Sequence, residues 1–122
     1  MVSLNMKGPY DFTAEQIDKV VAEKRIGNYA LGKVGATNDV NLSVSWVGRS
    51  DTDLNKELKA RLDLKHPKFK FSYADSKQAA FEKECRNFHD FGGKKALDNK
   101  IHPDRPDGMA RLKCPVPNCT EL

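Results

Sequence analysis

No apolar run in this chain exceeds a few residues, and no basic stretch leads into one, so neither a membrane span nor a secretory leader is expected. A cytoplasmic protein with no membrane partner is expected. Cysteine is scarce and odd in number: Cys85, Cys114 and Cys119 make three, a poor basis for a disulfide framework in a chain without an export signal, and reduced thiols are expected. Tryptophan occurs once, at Trp46. Internal repeats and low-complexity tracts are absent, which excludes solenoids and fibres, and no shift in composition marks a second unit. At 122 residues the chain is expected to fold as one domain, 1–122, burying roughly two-thirds of its unfolded surface.

The charge that is present leans basic, at net +4, and much of the excess collects between Lys65 and Lys113. Such a surface suits a polyanion, and a merely solvated basic face looks the same.

"DFTAEQIDKVVAEKRIGN" carries a helix start with a mechanism. Thr13 can cap the amide of Gln16, Gln16 can reach back, Phe12 can staple to Ile17, and Ile17, Val20 and Val21 form one apolar stripe that Gly27 closes. An amphipathic helix over 13–26 follows. "YALGKV" and "VNLSVSWVG" read as two strands joined by a turn in "GATND", with Val40, Leu42, Val44 and Trp46 on one face and Asn41, Ser43 and Ser45 on the other. After Gly48, Ser50, Asp51 or Asp53 can cap a helix with Leu54, Leu58 and Leu62 on one side, ending before Pro67. "KFKFSY" alternates Phe69, Phe71 and Tyr73 against Lys68, Lys70 and Ser72, a third strand with a basic outer face. A long helix capped by Asp75 or Ser76 then runs to Gly92-Gly93. Residues 100–122, rich in proline and without periodicity, read as loop.

One residue of the long helix is out of place. At 100° per residue, Ala80, Phe81, Cys85, Phe88 and Phe91 form the apolar stripe, and Glu84 lies inside it. A buried ionised carboxylate costs several kcal/mol unless a cation or hydrogen bonds meet it, so Glu84 calls for a partner, an ion pair or an escape to solvent along its stem. Glu82 falls at the edge of the stripe, beside His89, and can reach water.

The order of "GNYAL" (27–31), "WVGRS" (46–50), a helix, "AFEKECRNF" around Glu84, and "LDN" ending at Asn99 resembles the GIY-YIG nuclease superfamily over about 27–99. Gly-Asn-Tyr stands where the family has Gly-Ile-Tyr, and Trp-Val-Gly where it has Tyr-Ile-Gly. The resemblance implies an α+β fold, a small three-stranded antiparallel sheet flanked by helices. It also implies hydrolysis of nucleic-acid phosphodiesters, DNA first, with a divalent cation such as Mg²⁺ or Mn²⁺. Tyr29 would help activate the attacking water, an arginine would steady the phosphate, and Glu84 would bind the metal. Arg49, Trp46 and Asn99, with Lys68 and Lys70 on the third strand, are the residues then expected at the nucleic acid.

The chemistry agrees: a cation and an arginine fork stabilise the charge that grows on a transferring phosphoryl group, and Mg²⁺ accepts a single carboxylate with waters. A tyrosine of ordinary pKa near ~10 is a poor base unless a cation lowers it, a role open to the metal and the arginine. Trp46, replacing the second tyrosine, has one N–H donor and no acceptor. Glu57 occupies the position of the helix arginine, and Arg61 lies one turn further on the same face, so either Arg61 or Arg49 can take the arginine's part. The same residues also fit a non-catalytic DNA-binding module, or a protein-interaction domain in which Tyr29, Trp46 and Glu84 only pack.

Cys114 and Cys119 in "CPVPNC" are too few and too far apart to announce a zinc site, even with Cys85 or His102, and read as loop thiols. His89 reads as a surface histidine. His66 and His102 attract no role.

Overall fold

In the computed structural model of the chain, which describes residues 3–35, 41–117 and 119, Thr13 accepts a hydrogen bond from the Gln16 amide at 3.1 Å and opens helix α1, Ala14–Val20. Phe12 and Ile17 meet in one core, as a staple should. The helix stops well short of Gly27. Asn55, buried, donates its Nδ2 to the Val21 carbonyl at 2.9 Å, so that carbonyl is satisfied without a further helical turn, and Val21 turns into the core.

Four strands form one antiparallel sheet in the order β1-β4-β2-β3, one strand more than the sequence suggests: β1 is Lys7–Asp11, β2 Gly27–Lys33, β3 Ser43–Ser50 and β4 Lys68–Tyr73. β1 is hidden in the sequence because "KGPYD" neither alternates nor avoids proline, and Pro9 is tolerable only because this strand lies at the sheet edge. Its presence moves β4 inside the sheet. Lys70, opposite Ala30, therefore faces the protein interior at 3 % exposure, and the basic outer face expected of this strand does not form. Lys68 pairs with Asp11 across β1.

The β2–β3 pairing contains the decisive irregularity. Leu31 faces Trp46, but the next residue, Gly32, faces Val44, so Ser45 is an extra residue in β3. A one-residue insertion reverses the facing of everything beyond it. Leu42 and Val44 join Ala30, Val47 and Phe88 in one core, whereas Trp46 packs against the other, beside Tyr29 and Leu31. Trp46 is thus not on the face of Leu42 and Val44. The expected turn in "GATND" beyond Gly35, and Val40, fall in residues 36–40, outside the described residues.

Helix α2, Leu54–Ala60, is capped by Asp53, whose carboxylate accepts the Lys56 amide, while Ser50 Oγ accepts the Asp53 amide at 2.9 Å and tightens the turn before it. A short 3₁₀ turn, Leu62–Leu64, precedes β4. Helix α3, Lys77–Asp90, is capped by Ser76, and its buried stripe includes Phe81, Glu84, Cys85 and Phe88. A four-residue helix α4, Gly93–Ala96, follows. α1 and α2 cover one face of the sheet over Tyr29, Leu31, Phe69 and Phe71, and α3 covers the other. Among the described residues no helix is long and apolar enough to cross a membrane.

Gly48 sits directly opposite Tyr29, and a Cβ there would lie 2.3 Å from Tyr29 Cζ. The missing side chain is what lets the phenol lie across β3. Gly48→Ala is expected to cost about 1–3 kcal/mol through overpacking against this buried ring, lowering Tm by at least ~4 °C; an unchanged Tm would mean that Tyr29 lies elsewhere.

Candidate functional site

At one end of the sheet β2, β3, α2, α3 and the segment after α4 enclose a cleft of ≈ 310 Å³. Two groups of side chains meet there, one from each face of the sheet.

The first is built around Tyr29. Gly48 gives its ring room, and the extra residue in β3 turns Trp46 to the same face. Its hydroxyl donates to Glu57 Oε2 at 2.9 Å and accepts from Trp46 Nε1 at 3.3 Å. Arg61, one turn after Glu57 on α2, donates Nε to the same Oε2 at 3.0 Å and lies with its guanidinium 5.9 Å from the Trp46 ring. The indole, able only to donate, does donate, and to the tyrosine. Burial pushes the Tyr29 phenol well above its ordinary pKa and the Glu57 carboxylate adds to this; the Trp46 bond and the Arg61 charge act the other way and lose. Arg61 does lower this phenol, as an arginine is expected to, but burial outweighs it in the protein alone. Tyr29 is the hydrogen-bond donor of the pair, and Glu57 accepts.

The second group is an ion pair across β3 and α3. Arg49 Nη1 meets Glu84 Oε1 at 2.6 Å, and its Nε and Nη2 hold Asp51 at 2.8 and 3.3 Å. The guanidinium also lies 5.3 Å from the Phe81 ring. Glu84 is 9 % exposed, and so the carboxylate in the apolar stripe is indeed buried and does have a partner. Burial raises its pKa from 4.5 to about 7; Arg49 opposes this by charge and hydrogen bond, while Asp51 and Glu57 add to the rise. Glu82, the other candidate, does not line the cleft and accepts from Gln78.

Asn99 reaches the cleft wall, but both ends of its amide are engaged. Oδ1 accepts the Val47 amide at 3.0 Å and Nδ2 donates to the Val47 carbonyl at 2.8 Å, as a paired strand residue would. It positions the following segment along β3, with one Nδ2 hydrogen and one Oδ1 lone pair outside this pairing. Lys68 and Lys70 do not line the cleft. His89 is not a lone surface histidine, since its Nε2 stands 3.2 Å from that of His102. Tyr29, Trp46, Arg49, Arg61, Glu84 and Asn99 are brought together; Lys68 and Lys70 are not. Asp51 and Glu57 belong to the site and were not among the residues marked by sequence. Their signals were there, in Asp51 two residues after Arg49 and Glu57 one helical turn before Arg61.

No family model matches the chain, and no curated protein or solved structure is found similar to it.

Because the folded-state pKa of Glu84 lies above its ordinary value, the folded protein keeps a proton that the unfolded chain releases between about pH 4.5 and 7. Its stabilising contribution is full below that window and is lost as pH rises through it, by up to about 3 kcal/mol. In urea unfolding, the stability of the wild type minus that of Glu84→Gln is expected to fall between pH 4.5 and 8. A difference that stays flat contradicts the shift.

Proposed function

We propose that this protein hydrolyses nucleic-acid phosphodiesters, DNA first, with Mg²⁺ or Mn²⁺ held by Glu84. The observation that supports this best is convergence: a tyrosine from β2, two arginines from β3 and the C-terminal cap of α2 and a carboxylate from α3, all marked by the GIY-YIG-like order of motifs, share one cleft. Glu84 fits a hard cation. It is a nearly buried carboxylate whose Oε1 is engaged by Arg49. A single protein carboxylate completed by waters and phosphate oxygens is a customary Mg²⁺ arrangement. When bound, such an ion supplies positive charge to the phosphate oxygens as the phosphoryl group transfers.

The side chains divide the remaining work. Arg49 is committed to two carboxylates and fixes Glu84, a positioning role. Arg61, with 42 % of its side chain exposed against 10 % for Arg49, is the guanidinium able to meet a phosphate. Glu57 takes the proton of the attacking water, and Tyr29, donating to Glu57, fixes the orientation of that carboxylate. The phosphorus gains the water oxygen and loses one ester oxygen, which leaves with its electron pair. Trp46 holds the tyrosine hydroxyl in place of a second phenol.

A non-catalytic nucleic-acid-binding module is the second reading. The 1 % exposure of Tyr29, with its hydroxyl already bonded on two sides, favours it.

Supercoiled plasmid and branched DNA, with Mg²⁺, Mn²⁺ or chelator, separate the two. Metal-dependent cutting is expected, reduced at least ~10²-fold in Glu84→Gln and in Arg61→Ala. DNA retention that weakens steeply with salt, without cutting, supports the second reading. Neither cutting nor retention removes nucleic acid as the partner.

A further inference from the structure

Beyond the cleft, where the last turn of α3 meets the loop-rich segment after Asn99, two histidines and two cysteines converge, and the proposed hydrolysis has no use for them. His89 comes from α3, His102 from the segment that follows it, and Cys114 and Cys119 from "CPVPNC". Each presents one ligand atom, and the four atoms all lie within 4.8 Å of one another. Two of the separations are resolved more finely: His89 Nε2 to His102 Nε2 is 3.2 Å, and Cys119 Sγ to His102 Nε2 is 3.4 Å.

Those lengths have a simple origin. Zn–N bonds of about 2.05 Å and Zn–S bonds of about 2.3 Å, arranged tetrahedrally, give an N–N edge of about 3.3 Å and an N–S edge of about 3.5 Å. The orientation of His102 agrees. Its Nδ1 lies 2.8 Å from the Pro103 carbonyl, which can only accept, so Nδ1 carries the proton and Nε2 turns its lone pair towards the other three residues. A metal-bound histidine is held in this way, its other ring nitrogen donating to a carbonyl. Without a metal, His89 Nε2 and the Cys119 thiol would compete to donate to that one lone pair on a residue 8 % exposed.

We infer that His89, His102, Cys114 and Cys119 bind one Zn²⁺ in a closed tetrahedral site. Two imidazoles and two thiolates form the soft-to-intermediate donor set that selects zinc over Mg²⁺, whose ligands are oxygens. All four positions are filled by protein, so the ion is structural and has no place for a reacting water. On binding, the two thiols give up their protons to solvent, and the two thiolates balance the charge of the ion. The site fastens the segment after α4, which has little regular structure, to α3, where Cys114 also packs on Phe81 and Cys85. That segment supplies Lys100, Ile101 and Asp104 to the cleft wall. The thiols alone gave no sign of this in the sequence, because they are one residue pair and His89 lies on a helix far upstream.

The test uses the full chain without a histidine tag, loaded with Zn²⁺ and passed through gel filtration, with metal content measured directly. One zinc per chain is expected. Replacement by Co²⁺ should give the intense visible bands of a tetrahedral centre together with thiolate-to-cobalt charge transfer, and Cys114→Ser/Cys119→Ser should lose both. Should that variant not fold, the wild-type cobalt spectrum still decides. Zinc well below one per chain, cobalt bands of octahedral intensity without charge transfer, or a folded double variant that keeps stoichiometric metal would each overturn the site. No arm depends on nuclease activity, so the two proposals fail separately.

Discussion

The extra residue in β3, Ser45, determines what each face of the sheet presents at its open end. With a strict two-residue repeat, Trp46 would lie with Leu42 and Val44 under α3, and Arg49 would turn towards α2, away from Glu84. The insertion reverses both. Trp46 joins Tyr29, and Arg49 reaches Glu84. The bulge is itself held from outside, since the Ser45 carbonyl accepts the Asp98 amide at 2.6 Å and Asn99 pairs with Val47 two residues later. Thus the segment after α4 both closes the cleft and fixes the irregularity that creates it.

Electrostatically the site is an arrangement of opposed tendencies. Burial drives Glu84 towards its neutral form and Arg49 pulls it back, leaving a carboxyl that titrates near neutral pH. A buried ion pair of this kind is weak evidence for stability, because desolvation consumes most of the attraction. A cation beside Glu84, as proposed, would favour the ionised form that burial disfavours. On the other face, Glu57 gathers Tyr29 and Arg61 around one oxygen, and removal of any of the three leaves polar groups without their partners.

Much of the local structure was legible from sequence. Thr13 and Ser76 cap their helices by side-chain chemistry that acts within three residues, and the stripe containing Glu84 follows from helical periodicity alone. What escaped was non-local. Nothing in "NLSVSWVG" marks Ser45 as an insertion, because a bulge is defined by its partner strand. β1 escaped because its stability comes from pairing with β4 and from Tyr10 against Phe69 and Phe71, and so the burial of Lys70 escaped with it. In the site, the residue types and their convergence could be anticipated from motif order. The use of Asn99 as a strand mimic, and the choice of Glu57 as partner of Tyr29, depend on distances that only the fold sets.

The central claim is the proposed cation site on Glu84, in the cleft beside the end of β3. Mn²⁺ titration followed through ¹H–¹⁵N NMR addresses it directly, because paramagnetic broadening falls off steeply with distance and the single Trp46 indole gives an unambiguous probe. Early, selective broadening at Gly48–Asp51, Glu84 and the Trp46 indole, abolished in Glu84→Gln, is the predicted result. Broadening spread over surface carboxylates, or centred on His89 and His102 with the Trp46 indole untouched, would contradict it.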